Sequence, residues 1–110
     1  MVSEDDFDAL DRLATHLHEQ AVAKGFTGER TLERDLMLIM SEAFECFEDK
    51  RHGKDMSEHI EGFTVEEEEF ADMLIRILET SRRRGLRIGS ATVAKVLFNS
   101  SRPHKHGKAF

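Results

Sequence analysis

Proline is absent from the first 102 residues of this chain, and Pro103 is its only proline. Because proline removes a backbone N–H and clashes with the preceding helical turn, its absence permits long uninterrupted helices. Apolar residues recur at spacings of three and four, which is the period of one helix face. Alternation typical of strands does not extend over any useful length. We therefore predict an all-α protein.

Capping signals and glycines divide the chain into four predicted helices. Ser3 is a candidate N-cap for the first, and Thr64 with Glu67 fits a capping box that opens the third. Glycines 25, 53 and 85 are placed to end the first three helices. The predicted helices cover about residues 4–24, 31–51, 64–84 and 91–102.

The apolar positions of the second and third helices predict which faces are buried. We expect the second helix to bury Leu32, Leu36, Ile39, Met40, Ala43 and Phe47. We expect the third to bury Phe70, Met73, Leu74, Ile77 and Leu78.

With 110 residues, the chain is predicted to form one domain over residues 1–110, with a basic tail at about 101–110. Domains of this size bury a limited core, and apolar runs such as "LMLIM" exceed what a slender set of helices can cover. We predict a four-to-five-helix bundle completed by dimerisation, with a tetramer as the alternative.

Charge is distributed unevenly along the sequence. Residues 1–79 contain all 22 acidic residues and eight of the 16 basic ones, whereas residues 80–110 contain the other eight basic residues. The basic segment could contact nucleic acid, fold back onto the acidic part, or meet it around a phosphate ligand and a metal cation. Arg82, Arg83 and Arg84 are interpreted as helix-dipole partners and solvated charge.

Several features bear on location. Cys46 is the only cysteine, so no intrachain disulfide can form, and we interpret it as a packing residue. The acidic start "MVSEDDFDAL" lacks the apolar stretch of a signal peptide, and no apolar run is long enough to span a bilayer. We expect a cytoplasmic protein without a membrane partner.

Paired carboxylates stand beside the apolar faces of the second and third helices. At about 100° per residue, Glu42, Glu45 and Asp49 share one stripe, and Glu69 and Asp72 share another with Arg76. If the two helices pack antiparallel, the acid pairs can converge. Acids one turn apart repel each other, so a converging set calls for a cation.

Oxygen donors of this kind suit Mg²⁺, or alternatively Mn²⁺. A zinc site is disfavoured because no Cys/His cluster is present, and a di-iron site because no glutamate has histidine three residues later. The simpler interpretation of any single acid pair is a solvated helix surface.

The segments "SEAFECFEDKR", "EEFADMLIRIL" and "KVLFNSSRPHKHGKAF" together resemble the MazG-like nucleotide pyrophosphohydrolases of the all-α NTP pyrophosphatase superfamily. That family's ExxE and ExxD motifs are matched by Glu42 with Glu45 and by Glu69 with Asp72, separated by 23 residues. The ending, from Asn99 onward, is similar to the tail of short MazG-like proteins.

The resemblance implies Mg²⁺-dependent hydrolysis of nucleoside triphosphates to monophosphate and pyrophosphate. It implies that Glu42, Glu45, Glu69 and Asp72 are the metal-binding and catalytic residues. It also implies phosphate-binding roles for Lys95, Asn99, Arg102 and Lys105.

Alternative activities within the superfamily are a dUTPase and a phosphoribosyl-ATP pyrophosphohydrolase. A different class is a non-enzymatic helical module whose tail binds nucleic acid. We regard nucleic acid as the weaker partner, because few aromatic residues accompany the basic ones.

Overall fold

A computed structural model describes residues 1–104, so the prediction for Lys105 lies outside the described residues. The four helices are α1 (Glu4–Ala23), α2 (Leu32–Arg51), α3 (Val65–Arg83) and α4 (Ile88–Ser100). Within the described residues there is no strand, only an isolated bridge between Met56 and Thr64. The all-α prediction is confirmed. Across the same residues, no helix combines the length and apolar character needed to cross a membrane.

The two predicted N-terminal caps are confirmed: Ser3 is the N-cap of α1, and Thr64 with Glu67 forms the capping box of α3. Thr64 Oγ1 accepts the backbone N–H of Glu67 at 3.0 Å, and Glu67 accepts the backbone N–H of Thr64 at 3.0 Å. Thr31 accepts from the backbone of Arg34 at 3.2 Å, which fixes the start of α2. These bonds satisfy amides that the first turn of a helix leaves without partners.

The start of α4 differs from the prediction by three residues, because its cap comes from another helix. Asp11 of α1 accepts the backbone N–H of Gly89 at 3.0 Å. Gly89 is buried, and a Cβ there would overlap the backbone oxygen of Phe7 and the Asp11 side chain. Glycine is therefore required for α1 and α4 to approach this closely.

The helices form an open arrangement around α3. α3 packs against α2 on one side and α1 on the other, and α4 packs mainly on α1. The fully buried apolar side chains in the described chain are Ala14, Val65 and Leu78. The radius of gyration is 16.3 Å, whereas a compact chain of this length has about 13 Å.

The predicted apolar stripe of α2 is wrong as a description of the single chain. Met40 is 50% exposed and Phe47 is 59% exposed, and only Ile39 of the predicted set is half-buried. α2 packs on α3 through its charged face, where Asp35 and Glu42 are buried. For α3 the prediction holds at Leu78 and in part at Met73; the remaining members, Phe70, Leu74 and Ile77, are exposed.

Candidate metal centre

The interface between α2 and α3 is a ladder of charged side chains. From the start of α2 onward, successive side chains meet residues progressively nearer the start of α3, so the helices are antiparallel. The α2 members at 35, 42 and 49 and the α3 members at 69, 76 and 83 are each spaced by seven residues. This is the spacing of a helix–helix seam, which is normally apolar.

At one end of the ladder, Asp35 is buried among three arginines. Its carboxylate accepts from Arg83 at 2.7 Å and from Arg30 at 2.9 Å, and Arg84 lies 3.3 Å away. Burial opposes the charge, but the hydrogen bonds from Arg83 and Arg30 hold the pKa of Asp35 below its ordinary value. The interpretation as solvated charge is therefore wrong for Arg83, whereas Arg84 is exposed and also reaches Asp35. These two residues at the start of the basic segment contact an acid, as one of the sequence alternatives held.

Seven residues beyond Asp35 on α2, Glu42 Oε1 accepts a hydrogen bond from Arg76 Nε at 2.8 Å. Glu42 is buried, at 7% exposure, whereas the Arg76 side chain is more than one-third exposed. Arg76 follows Asp72 by one helical turn, so its guanidinium stands at the edge of the acid cluster.

At the other end of the ladder, like charges face each other. A hydrogen bond to Glu42, followed by burial, raises the pKa of the Glu45 carboxyl, and Asp72 adds to the effect. Burial and then the Glu42 charge raise the pKa of Asp72. Burial, followed by contact with Asp49, raises the pKa of Glu69 to about 7. Burial and the neighbouring carboxylates therefore both disfavour the ionised form of these acids.

Carboxylate oxygens of Glu42, Glu69 and Asp72 all lie within 4.8 Å of one another, and Glu45 joins them through Glu42. The structure therefore clusters three of the four predicted acids, and Glu45 is exposed at the edge of this cluster.

The donor set fits a hard divalent cation. Glu69 Oε2 is buried and has no hydrogen-bond partner among residues 1–104. Asp49, the neighbouring acid, cannot donate a hydrogen bond when ionised. A buried oxygen without a donor costs free energy, and a cation would offset that cost.

A cavity of about 380 Å³ opens beside the acids, between α1 and α3. Glu42, Asp72 and Arg76 form its acidic edge. The rest of the cavity wall contains two basic side chains, several apolar ones and three other polar ones. The residues are Leu17, Gln20, Ala21, Lys24, Phe26, Arg30, Ile75, Glu79 and Thr80.

The predicted phosphate ligands lie elsewhere in the single chain. Lys95 is exposed, with Nζ 4.6 Å from the centre of the Phe98 ring, and Arg102 approaches the same ring at 5.5 Å. Asn99 is half-buried, and its Oδ1 has no hydrogen-bond partner in the described chain. No α4 residue within the described part of the chain lines the cavity beside Glu42.

Lys24, Phe26 and Arg30 were not predicted as site residues, because the segment between α1 and α2 reaches the cavity only through tertiary packing. Arg76 did have a signal, namely its place on the stripe of Glu69 and Asp72. The seven-residue repeat of charged residues was a second signal, since it marks a seam.

Comparison with protein families, curated proteins and solved structures finds no match for this chain. The site must therefore be understood from its own residues.

Proposed function

We propose that this protein is a Mg²⁺-dependent pyrophosphohydrolase that converts nucleoside triphosphates to the monophosphate and pyrophosphate, with Mn²⁺ able to replace Mg²⁺. The observation that carries the proposal is the like-charged end of the α2–α3 ladder. There a buried Glu69 oxygen lacks a hydrogen-bond partner among residues 1–104, and the neighbouring Glu42 and Asp72 line an open cavity.

In this proposal Glu42, Glu45, Glu69 and Asp72 hold the cation. When bound, a divalent cation offsets phosphate charge and lowers the pKa of a coordinated water. The carboxylates themselves also have a selective role. Without positive charge they repel a triphosphate, so nucleotide binding should depend on the divalent ion.

The cavity supplies complementary contacts for the rest of a nucleotide. Lys24 and Arg30 bring positive charge to its wall, which suits phosphate oxygens. Leu17, Ala21 and Ile75 offer an apolar surface for the nucleoside. Lys24 is the better phosphate ligand, because Arg30 already donates to Asp35.

The reaction is an in-line displacement by water. The water oxygen bonds to the α-phosphorus, while the bond from that phosphorus to the α–β bridging oxygen breaks. Pyrophosphate leaves with the bonding electrons, and a cluster carboxylate accepts the proton from water. We assign that role to Glu45, which is the exposed member of the four acids and can reach solvent.

A second copy of the chain completes the arrangement in our proposal. Residues 37, 40, 44 and 47 of α2 form an exposed apolar seam on the face opposite the charged ladder. Their spacing of three and four suits packing against another helix. A dimer formed through this face would cover side chains that a single chain leaves in water. Lys95, Asn99 and Arg102 would then serve as phosphate ligands only by reaching the site across the dimer.

The proposal is tested by measuring pyrophosphate release from a panel of nucleoside triphosphates with Mg²⁺. We expect Asp72→Asn to lower the rate by at least about 100-fold, since it removes a metal ligand and its charge. Glu66→Gln is the matched control, because Glu66 is exposed on the same helix, six residues before Asp72. Equal rates for folded wild type and Asp72→Asn would refute the assignment. A response to dUTP or phosphoribosyl-ATP alone would select one of the narrower activities.

A further inference from the structure

Arg76 stands where the two halves of the charged ladder meet. Toward the end of α3 the ladder pairs acid with base, and toward its start it pairs acid with acid. The guanidinium bonds to buried Glu42 and lowers the pKa values of Glu45 and Asp72 against the effects that raise them. It thus supplies positive charge to three of the four acids.

The same guanidinium also faces the cavity. Arg76 lines it together with Lys24 and Arg30, and its side chain is 38% exposed. Because the side chain is long and partly solvated, it can leave Glu42 without disturbing the backbone of α3. A divalent cation on Glu42 would repel the guanidinium and compete with it for the same carboxylate.

We propose that Arg76 is the internal counter-ion of the metal site and becomes a ligand for substrate phosphate once a divalent cation takes its place on Glu42. This inference rests on the proposed function. It assigns Arg76 a substrate-binding role that couples metal binding to nucleotide binding. A free guanidinium suits this role because it binds phosphate oxygens in a bidentate manner.

The alternative is that Arg76 stays bound to Glu42 and orients its carboxylate permanently. In that case Arg76 would hold the carboxylate for the metal, and its loss would weaken metal binding. The two roles therefore predict opposite signs for one measurement.

The test is calorimetric titration of Mn²⁺ into wild type and Arg76→Gln without nucleotide. We expect Arg76→Gln to bind Mn²⁺ roughly fivefold or more tightly, because the competing cation is gone. We also expect its KM for a nucleoside triphosphate at saturating Mn²⁺ to rise roughly tenfold, because a charged phosphate contact is lost. Arg82→Gln is the control, since Arg82 is exposed near the end of the same helix, and it should alter neither value.

Unchanged or weaker Mn²⁺ binding by Arg76→Gln, with normal binding by wild type, would overturn the inference alone. Absence of Mn²⁺ binding by wild type would overturn the proposed function and this inference with it. If Arg76→Gln does not fold, Arg76→Lys decides the question. Lysine lacks Nε and holds Glu42 less well, so tighter Mn²⁺ binding is again expected, and weaker or equal binding would contradict the inference.

Discussion

Glu69 is the acid of the cluster for which folding most strongly disfavours ionisation. Burial and the neighbouring Asp49 raise its pKa to about 7 from an ordinary value of 4.5. The folded chain therefore binds this proton more tightly than the unfolded chain does. Its stabilising contribution is fully present below pH 4.5 and is lost as the pH rises through about 7.

The direction of this pKa shift predicts how the stability of the metal-free protein changes with pH. Between pH 5 and 7.5, the free energy of unfolding of wild type should fall by roughly 2 kcal/mol relative to that of Glu69→Gln. Urea unfolding in the presence of a chelator measures both proteins at each pH. Parallel pH profiles for the two proteins would show that Glu69 is not held in the environment described.

The sequence predicted the positions of the four acids better than it predicted the contacts of the charged residues. The helical positions of Glu42, Glu45, Glu69 and Asp72 placed them on stripes that could converge. Oxygens of Glu42, Glu69 and Asp72 do lie together, and Glu45 contacts Glu42. The sequence could not predict that Arg83 and Arg84 would be held by Asp35, because that contact joins residues almost 50 positions apart.

Among the helices, α2 shows why apolar spacing alone was misleading. The spacing correctly predicted a helix that begins near residue 31, where Thr31 is the N-cap. It did not show which of two faces would meet α3, because an apolar face can be covered by another chain. The charged face of α2 packs against α3, where Asp35 accepts a hydrogen bond from Arg83 and Glu42 accepts one from Arg76.

The close contact between α1 and α4 predicts the effect of adding one methyl group at Gly89. Gly89→Ala would place a Cβ against the backbone oxygen of Phe7, so the two helices must move apart. We expect a loss of roughly 2 kcal/mol in the free energy of unfolding, which chemical denaturation can measure.

Gly28→Ala is the matched control for this prediction. Gly28 is in the loop between α1 and α2, and an added Cβ there would meet nothing within 4 Å. Its stability should change by less than about 0.5 kcal/mol. An equal effect of the two substitutions would mean that α1 and α4 are not in close contact.

For the whole molecule, the accessible surface is larger than that of a compact monomer. The single chain exposes 8455 Å², whereas a compact monomer of this mass exposes about 6,200 Å². The exposed large apolar side chains include those of the α2 seam described above. The sequence predicted an all-α chain with uncovered apolar faces, but one chain contains no information about the geometry of a partner.

We therefore expect light scattering to report the mass of a dimer, with the tetramer as the alternative. Met40→Glu should shift the protein toward monomer, because it places a charge in the α2 seam. Met56→Glu is the control, since Met56 is similarly exposed at 57% but lies in the loop before α3. A wild-type monomer, or equal masses for the two variants, would contradict assembly through this seam.

The most direct test of the account is hydrolysis of a nucleoside triphosphate in ¹⁸O-labelled water with Mg²⁺, followed by mass spectrometry of the products. We expect one labelled oxygen in the nucleoside monophosphate and none in pyrophosphate, with turnover by Asp72→Asn lowered by at least about 100-fold. Label in pyrophosphate or orthophosphate, or no turnover of any nucleotide by the folded wild type, would contradict the account.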